Sequence, residues 1–412
     1  MLKRRTAPIA ALATALALPL SLAVAVPAAA ATVNVETWIE LTDAAAVTTN
    51  VIVLDADITA PAGDRLVVSA GTVITVDLNG HELSITDPGF SEAAVHVPVG
   101  ATLTINATGG GTLNAAGGAF GAGIGGDEKG SSGTVTINGD DIAANGTNDG
   151  AGVGGGEEGS GGALTVSGGT ITATGSFDGA GIGGGQFGDG GVVTVNGGSI
   201  TALGGAFAAG IGGGLAGEGA TVAINGGTIS ATGGRESAGI GGGALGASGT
   251  LAIHGTPDAG NATDGSTGGG PNGGAGAPIA NPTTPAGVGY SAVTSLVGTA
   301  GIEGGRIVVV FNYLVTFDAT GGTSIDDQTV DEGGTVAQPA DPTRTEYEFA
   351  GWQVGGNAYD FSASVTDPVA LTATWTRVLA VSGAEQGLFL PVALIVLLLG
   401  GALLTLGRIR RA

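Results

Sequence analysis

The chain has no cysteine, so neither a disulfide framework nor a thiolate metal site is available to it. It is also short of bases, with 12 Lys and Arg against 35 Asp and Glu. Half of those bases sit at the two ends: Lys3, Arg4 and Arg5, then Arg408, Arg410 and Arg411. Residues 32–383 therefore carry 34 acids against 6 bases, a net of −28. Such a surface repels nucleic acid and anionic headgroups, so nucleic acid is not expected as a partner. It suits a solvated exterior, or one that collects cations. Glycine is abundant, at 84 residues, yet no Gly-X-Y triplet runs through the chain, which excludes collagen.

Glycine follows a different rule. The segment "GAGIGGG" recurs, with its apolar centre at Ile124, Val153, Ile182, Ile211 and Ile240, each step being 29 residues. Two further apolar columns keep that step: Val135, Leu164, Val193, Val222 and Leu251, and then Ile142, Ile171, Ile200 and Ile229. Each unit reads as three short extended pieces. Within a piece the residues alternate, Val193 and Val195 to one side and Thr194 to the other, the two-residue period of a strand with one buried face. A repeat of this length with glycine at its corners predicts a solenoid whose rungs stack in parallel about 4.8 Å apart. No rung buries its apolar face alone, so the stack makes the core. Asn138, Ser167, Asn196, Asn225 and His254 share a corner column, expected as a polar ladder inside that corner. Val95 and Leu113 stand 29 residues before Ile124 and Ile142, so the register begins in the degenerate rungs upstream.

These columns resemble the right-handed parallel β-helix of the pectate-lyase-like superfamily, in its Gly-rich bacterial surface form. The resemblance, over residues 50–255, implies an all-β fold with 29-residue rungs. It implies little about activity. Polysaccharide lyases and hydrolases on such folds need bases or paired carboxylates gathered on one face. The repeats offer only Lys129 and Arg235 as bases, on different rungs, and His81, His96 and His254 are isolated. The expectation is a non-enzyme with no catalytic residue. "GAGIGG" at 121–126 satisfies the dinucleotide fingerprint formally, but it repeats with no helix after it, so no nucleotide cofactor is assigned.

The flanks supply the context. Residues 1–31 have the basic, apolar and small-residue regions of a secretion signal. Residues 32–49 hold Trp38, Leu41 and Ala45 at helical spacing, expected as a cap over the first rung. Residues 256–289, rich in Gly, Pro, Asn and Thr, read as a linker. Residues 290–313 contain one strong strand, "GRIVVVFNYL", with no partner evident in the sequence. Residues 314–376 carry "VTFDATGG", "GGTVAQPADPTRTEYEFAGW", "YDFS" and "LTATW". They resemble the Listeria–Bacteroides, or internalin-type B, repeat. That implies a small β-grasp-like extracellular module with Phe349, Trp352, Phe361 and Trp375 as its core aromatics. In residues 377–412, Leu379, Ala380, Val381, Ser382 and Gly383 resemble an actinobacterial sortase motif, with Ser382 where threonine is usual. The 19 apolar residues Leu388 to Leu406 follow, long enough for one transmembrane helix, and then the basic tail. This order implies sortase and the cell wall as partners in a Gram-positive envelope, with the membrane holding the helix before processing.

Three surface features are candidates for binding. Asp149, Asp178 and Glu236 share a column four residues ahead of the apolar centre, and Phe120 and Phe207 occupy the same column. Asp127, Glu128, Glu157, Glu158, Asp189 and Glu218 follow the centre. These corners would suit calcium as a cofactor, or serve simply as a solvated surface that discourages aggregation. Thr170, Thr172, Thr174, Ser199, Thr201, Thr228, Ser230 and Thr232 form a third, threonine-rich face of the kind ice binders carry, interrupted by Leu203. The sequence thus predicts a secreted, envelope-anchored display or adhesion protein touching glycans or a host surface along its β-helix. A polysaccharide-active enzyme and an ice- or calcium-binding solenoid are the alternatives.

Overall fold

The computed structural model describes residues 31–47, 50–106, 108–254, 256–257, 279–280, 288–297 and 304–378. Its centre is a parallel β-solenoid of about seven turns with three faces. Face A is built from seven two-residue strands, from Leu66–Val67 through Ile124–Gly125 to Ile240–Gly241, each pairing in parallel with the next. Face B carries pieces such as Val192–Val195 and Thr221–Ile224, and face C pieces such as Ser199–Leu203 and Thr228–Thr232. The partners Ile124 and Val153, Val193 and Val222, and Ile200 and Ile229 show that the 29-residue step is the rung. The early rungs keep it too, Val95 opposite Ile124 and Leu113 opposite Ile142.

Alternation decides what is inside. Val193, Val195, Val222, Ile224, Ile229, Ala231, Ile182 and Ile211 are all buried at 2% exposure or less. Burying a Val or Ile side chain stabilises by about 1.5–3 kcal/mol, and every rung contributes several. Two interior voids hold only about 10 Å³ each, so the lumen is filled. Face A stays thin from Ile124–Gly125 onward because the second residue of each strand there is glycine. Gly125, Gly154, Gly183, Gly212 and Gly241 have φ between 134° and 148°, and a Cβ on any of the first four would strike the carbonyl oxygen of the glycine one rung on.

Both ends of the stack are covered. Ala31–Val35 pairs in parallel with Asn50–Leu54 to begin the stack. The helix Trp38–Ala45 follows, started by a capping box between Thr37 and Glu40, and it buries Leu41, Ala44 and Ala45. Trp38 packs against this core while its indole Nε1 donates to Asp64 Oδ2 at 3.0 Å. At the other end the strand Gly304–Asp318 lies antiparallel to Thr228–Thr232, with Ile229 opposite Val309. It places Ile307, Val309 and Phe311, all fully buried, on the end of the core. An antiparallel strand there occupies an edge that would otherwise invite another parallel rung.

The same strand continues into the C-terminal module. Beyond the solenoid it pairs antiparallel with Gln328–Asp331 and parallel with Val369–Arg377, which in turn pairs with Tyr347–Val354. Trp352 is buried there, edge-on to Phe317 at 5.1 Å and Phe349 at 5.5 Å. Trp375 and Phe361 are half-buried, and Trp375 Nε1 donates to Ala319 O at 3.0 Å.

Three expectations change. The polar ladder is outside the solenoid: Asn138, Ser167, Asn196 and Asn225 are exposed. Val195 and Ile224 point inward, so their immediate successors must point out. The ladder bond itself exists, Asn225 Nδ2 donating to Asn196 Oδ1 at 2.8 Å. Residues 256–289, expected as a linker, contribute strands at Thr256–Pro257 and Ile279–Ala280 and the start of Val288–Val297; the rest of that stretch lies outside the described residues. The strand without an evident partner has two, Thr228–Thr232 and Val288–Val297, and it runs unbroken through the expected boundary at residue 314. Among the described residues no helix is long and apolar enough to cross a membrane. The secretion signal of residues 1–31, apart from Ala31, the sorting motif Leu379 to Gly383 and the apolar segment from Leu388 lie outside the described residues.

Candidate functional site

Every rung has one corner just before its face A strand and another just after it. Main-chain bonds join the two across neighbouring rungs: Gln186 N donates to Asp149 O at 2.9 Å, Leu215 N to Asp178 O at 3.0 Å, and Ala244 N to Phe207 O at 3.0 Å. The corners therefore merge into one edge along the solenoid. On it stands the column Phe120, Asp149, Asp178, Phe207 and Glu236, one residue per rung.

The structure brings Asp149 and Asp178 together and leaves Glu236 apart. The first two occupy adjacent rungs, and burial followed by the charge of Asp178 pushes the Asp149 carboxyl above the ordinary range. Asp178 is buried, at 8% exposure. Its Oδ2 accepts from Gln186 Nε2 at 2.7 Å, while its Oδ1, also shielded from solvent, meets no donor. Glu236 stands two rungs further on, with Phe207 between. The guanidinium of Arg235, its neighbour, lies 5.7 Å from the Phe207 ring centroid. Glu157 belongs to the same acidic field: burial, Asp149, Glu128 and Glu158 all raise its carboxyl, opposed by Lys129.

The edge also collects the aromatics. Residues 50–254 contain five aromatic side chains, Phe90, Phe120, Phe177, Phe187 and Phe207, and each belongs to one of these two corners. Phe90, Phe177 and Phe187 are 70%, 65% and 52% exposed. Phe90 and Phe120 meet edge to face at 5.1 Å. Phe177 sits at φ +50°, which disfavours a bulky side chain, and it still projects into solvent. The sequence carried a signal for this cluster: relative to the apolar centres the phenylalanines fall four or five residues before or five after. Only the stacking shows that those positions share an edge.

At the lower end the charges are paired. Arg65 binds Asp127 and reaches Glu92 at 3.6 Å, tying three successive rungs. His96 Nδ1 lies 3.1 Å from Asp127 Oδ1, and the Ala93 amide donates to the same oxygen at 2.8 Å. Burial alone would raise the Asp127 carboxyl, but these partners hold it down at about 2. Lys129 sits between Glu128 and Glu158, at 3.8 and 4.0 Å. Among the described residues no three His, Asp or Glu side chains are grouped to hold a metal ion. The corners thus offer carboxylates in pairs, short of a calcium cage.

Two other places hold polar chemistry. At the corner between faces B and C, Asp140 is buried at φ +71° with no donor to either carboxylate oxygen. Burial, then Asp77 and Asp141, raises it to about 6. Near that corner further along, a cleft of about 580 Å³ opens between the solenoid and the C-terminal module, lined by Ser167, Asn196, Ser199, Thr228, Glu332 and Asp367 among others. Glu332 Oε2 accepts from the Gly227 amide and from Tyr313 Oη, the latter at 3.0 Å, and so latches the module to the solenoid. Asp140 and Glu332 were not marked in the sequence, whereas Ser167, Asn196, Ser199 and Thr228 were named there as parts of the ladder and the threonine face. The threonine face is in register as expected, Thr170, Ser199 and Thr228 in one column and Thr174, Leu203 and Thr232 in another. The antiparallel strand ends it after Thr228–Thr232.

Fold and edge define a glycine-cornered parallel β-solenoid with carboxylates and exposed phenylalanines along one edge and a small β-module joined to its end. The family comparisons agree. A beta helix repeat model matches residues 164–186, 193–215 and 222–244, and the Listeria-Bacteroides repeat domain model matches residues 313–374. The chain is a β-helix protein with a Listeria-Bacteroides repeat, and both repeat types are typical of extracellular or surface proteins. Neither a curated protein nor a solved structure matches it.

Proposed function

We propose that this is a cell-surface display protein whose solenoid edge binds extracellular glycans without turning them over. The observation that carries the reading is where the phenylalanines are. A solenoid with five of them would gain most by burying them, yet all five are at the corners and three are more than half exposed. Exposed aromatics gathered on one surface mark a contact site, and a flat ring packs well on the apolar face of a sugar. Set at intervals along one edge, such contacts add along a chain-like ligand. The reading keeps the right-handed winding, the β-grasp-like module and the C-terminal transmembrane anchor expected from the sequence. It also keeps sortase and the cell wall as partners through Leu379 to Gly383.

The test is a glycan panel probed with the full chain and with a Phe90→Ser, Phe177→Ser, Phe187→Ser variant. The variant should melt as the parent does and lose most of its glycan binding. Equal binding by both would remove the edge from consideration. Release of reducing ends or unsaturated products from polyuronates would establish the polysaccharide-active alternative instead.

A further inference from the structure

We propose that the ligand of this edge is a polysaccharide bearing free amines, read by Asp149 and Asp178 between flanking phenylalanines. The inference rests on the reading of the edge as a glycan-binding surface and names the chemistry it selects.

Three independent features point to a cationic sugar. The first is an unmet valence. Asp178 is more than nine-tenths buried, and one of its oxygens has no donor. A buried carboxylate oxygen left without a donor is costly to keep unless something supplies one. An ammonium brings three donors and a charge. The second is charge balance along the edge. Among the described residues Arg65 and Lys129 are engaged with Glu92, Asp127, Glu128 and Glu158, and Arg235 lies against Phe207. Asp149 and Asp178 have no ion-pair partner among the described residues, and burial together with the charge of Asp178 makes the Asp149 charge harder to hold. A neutral ligand would leave that repulsion in place, and an anionic one would worsen it.

The third feature is the arrangement of rings around the pair. In the column Phe120 stands one rung below Asp149 and Phe207 one rung above Asp178, with Phe177 and Phe187 on the same edge. Arg235 lies 5.7 Å from the Phe207 ring centroid, so one ring of the set already accommodates a cation. Four rung spacings of about 4.8 Å carry the column from Phe120 to Glu236 over about 19 Å. That length suits several linked sugars and exceeds a single amine. Pyranose rings would pack on the phenylalanines, while amines at the middle of the site meet the two carboxylates and a further amine reaches Glu236.

Isothermal titration calorimetry with the full chain tests this, using a glucosamine hexamer and an N-acetylglucosamine hexamer of the same linkage in mildly acidic buffer. The amine-bearing hexamer should bind at least tenfold more tightly than its acetylated counterpart, and added salt should narrow the gap. An Asp149→Asn, Asp178→Asn double variant should abolish the preference without lowering the melting temperature; Phe177→Ser with Phe207→Ser should weaken both ligands. Equal affinity for the two hexamers overturns the amine inference and leaves the glycan reading standing. So does an unchanged preference in the double variant. Binding of neither hexamer, nor of any glycan in a broad panel, overturns both. Binding of polylysine with no oligosaccharide bound also overturns both, in favour of a basic polypeptide. The comparison of hexamers needs no variant, so misfolding of a variant does not blunt it.

Discussion

Replacing Asp140 by Asn should stabilise the protein at neutral pH and do almost nothing in acid. The carboxyl is buried, neither oxygen has a donor, and burial together with Asp77 and Asp141 raises it from 3.8 to about 6. Between about pH 4 and 6 the folded chain therefore holds a proton that the unfolded chain has released, and stability falls as pH rises through that window. Above it the folded state keeps a charge it disfavours. A displacement of about two pH units corresponds to about 3 kcal/mol. The corner borders solvent, which screens such charges, so about 1–2 kcal/mol is the gain expected at neutral pH. Asparagine keeps the shape, tolerates the positive φ of this position and can donate to the neighbouring carboxylates. Thermal melts of parent and variant from about pH 4 to 7.5 would read the gain as roughly 2–8 °C at the upper end, shrinking to nothing at the lower. A variant equally stabilised at both ends would place the gain in backbone geometry. One destabilised at neutral pH would show that the parent carboxylate is satisfied after all.

Three further outcomes are expected. Ile211→Ala opens a cavity in the filled lumen and should cost about 2–5 kcal/mol, with loss spreading to adjacent rungs; hydrogen exchange should show protection falling first in the rungs of Ile182 and Ile240. Asp127, held down at about 2 by His96, Arg65 and the Ala93 amide despite its burial, supplies stability that is present above about pH 4 and fades as pH falls toward 2. Asp127→Asn should therefore flatten the acid limb of a melting profile and destabilise the parent at neutral pH. Mass spectrometry of the envelope-bound protein should find Ser382 joined to wall peptide; finding Leu388 to Ala412 still attached would remove the sortase reading.

The rung, its buried columns and the helical cap were legible because they follow from local periodicity, which stacking only repeats. Val193 and Val195 are legible from the alternation as the buried side. Asn196 was placed beside them although it follows Val195 directly, and strand geometry sends consecutive residues to opposite sides. Of the closing strand's two partners, Thr228–Thr232 was not legible because the pairing is antiparallel across more than seventy residues, outside the rhythm of the repeat. The edge was half visible. Asp149 and Asp178 were found from their shared offset, and Phe177 and Phe187 were missed because their offsets differ and meet only through bonds between corners. Glu236 shares the offset of the acidic pair but not its surroundings, since a phenylalanine stands between.

The strand Gly304–Asp318 belongs to the last rung and to the C-terminal module at once, and this has a mechanical meaning. A pull or a torque applied beyond Val378 enters Val369–Arg377, passes to that strand along their parallel pairing, and reaches Thr228–Thr232 through five residue pairs. The load runs along hydrogen-bonded strands with the Glu332 latch alongside, and finds no swivel on the way. The solenoid and the C-terminal module turn as one lever, so a torque applied to the module swings the direction in which the edge points.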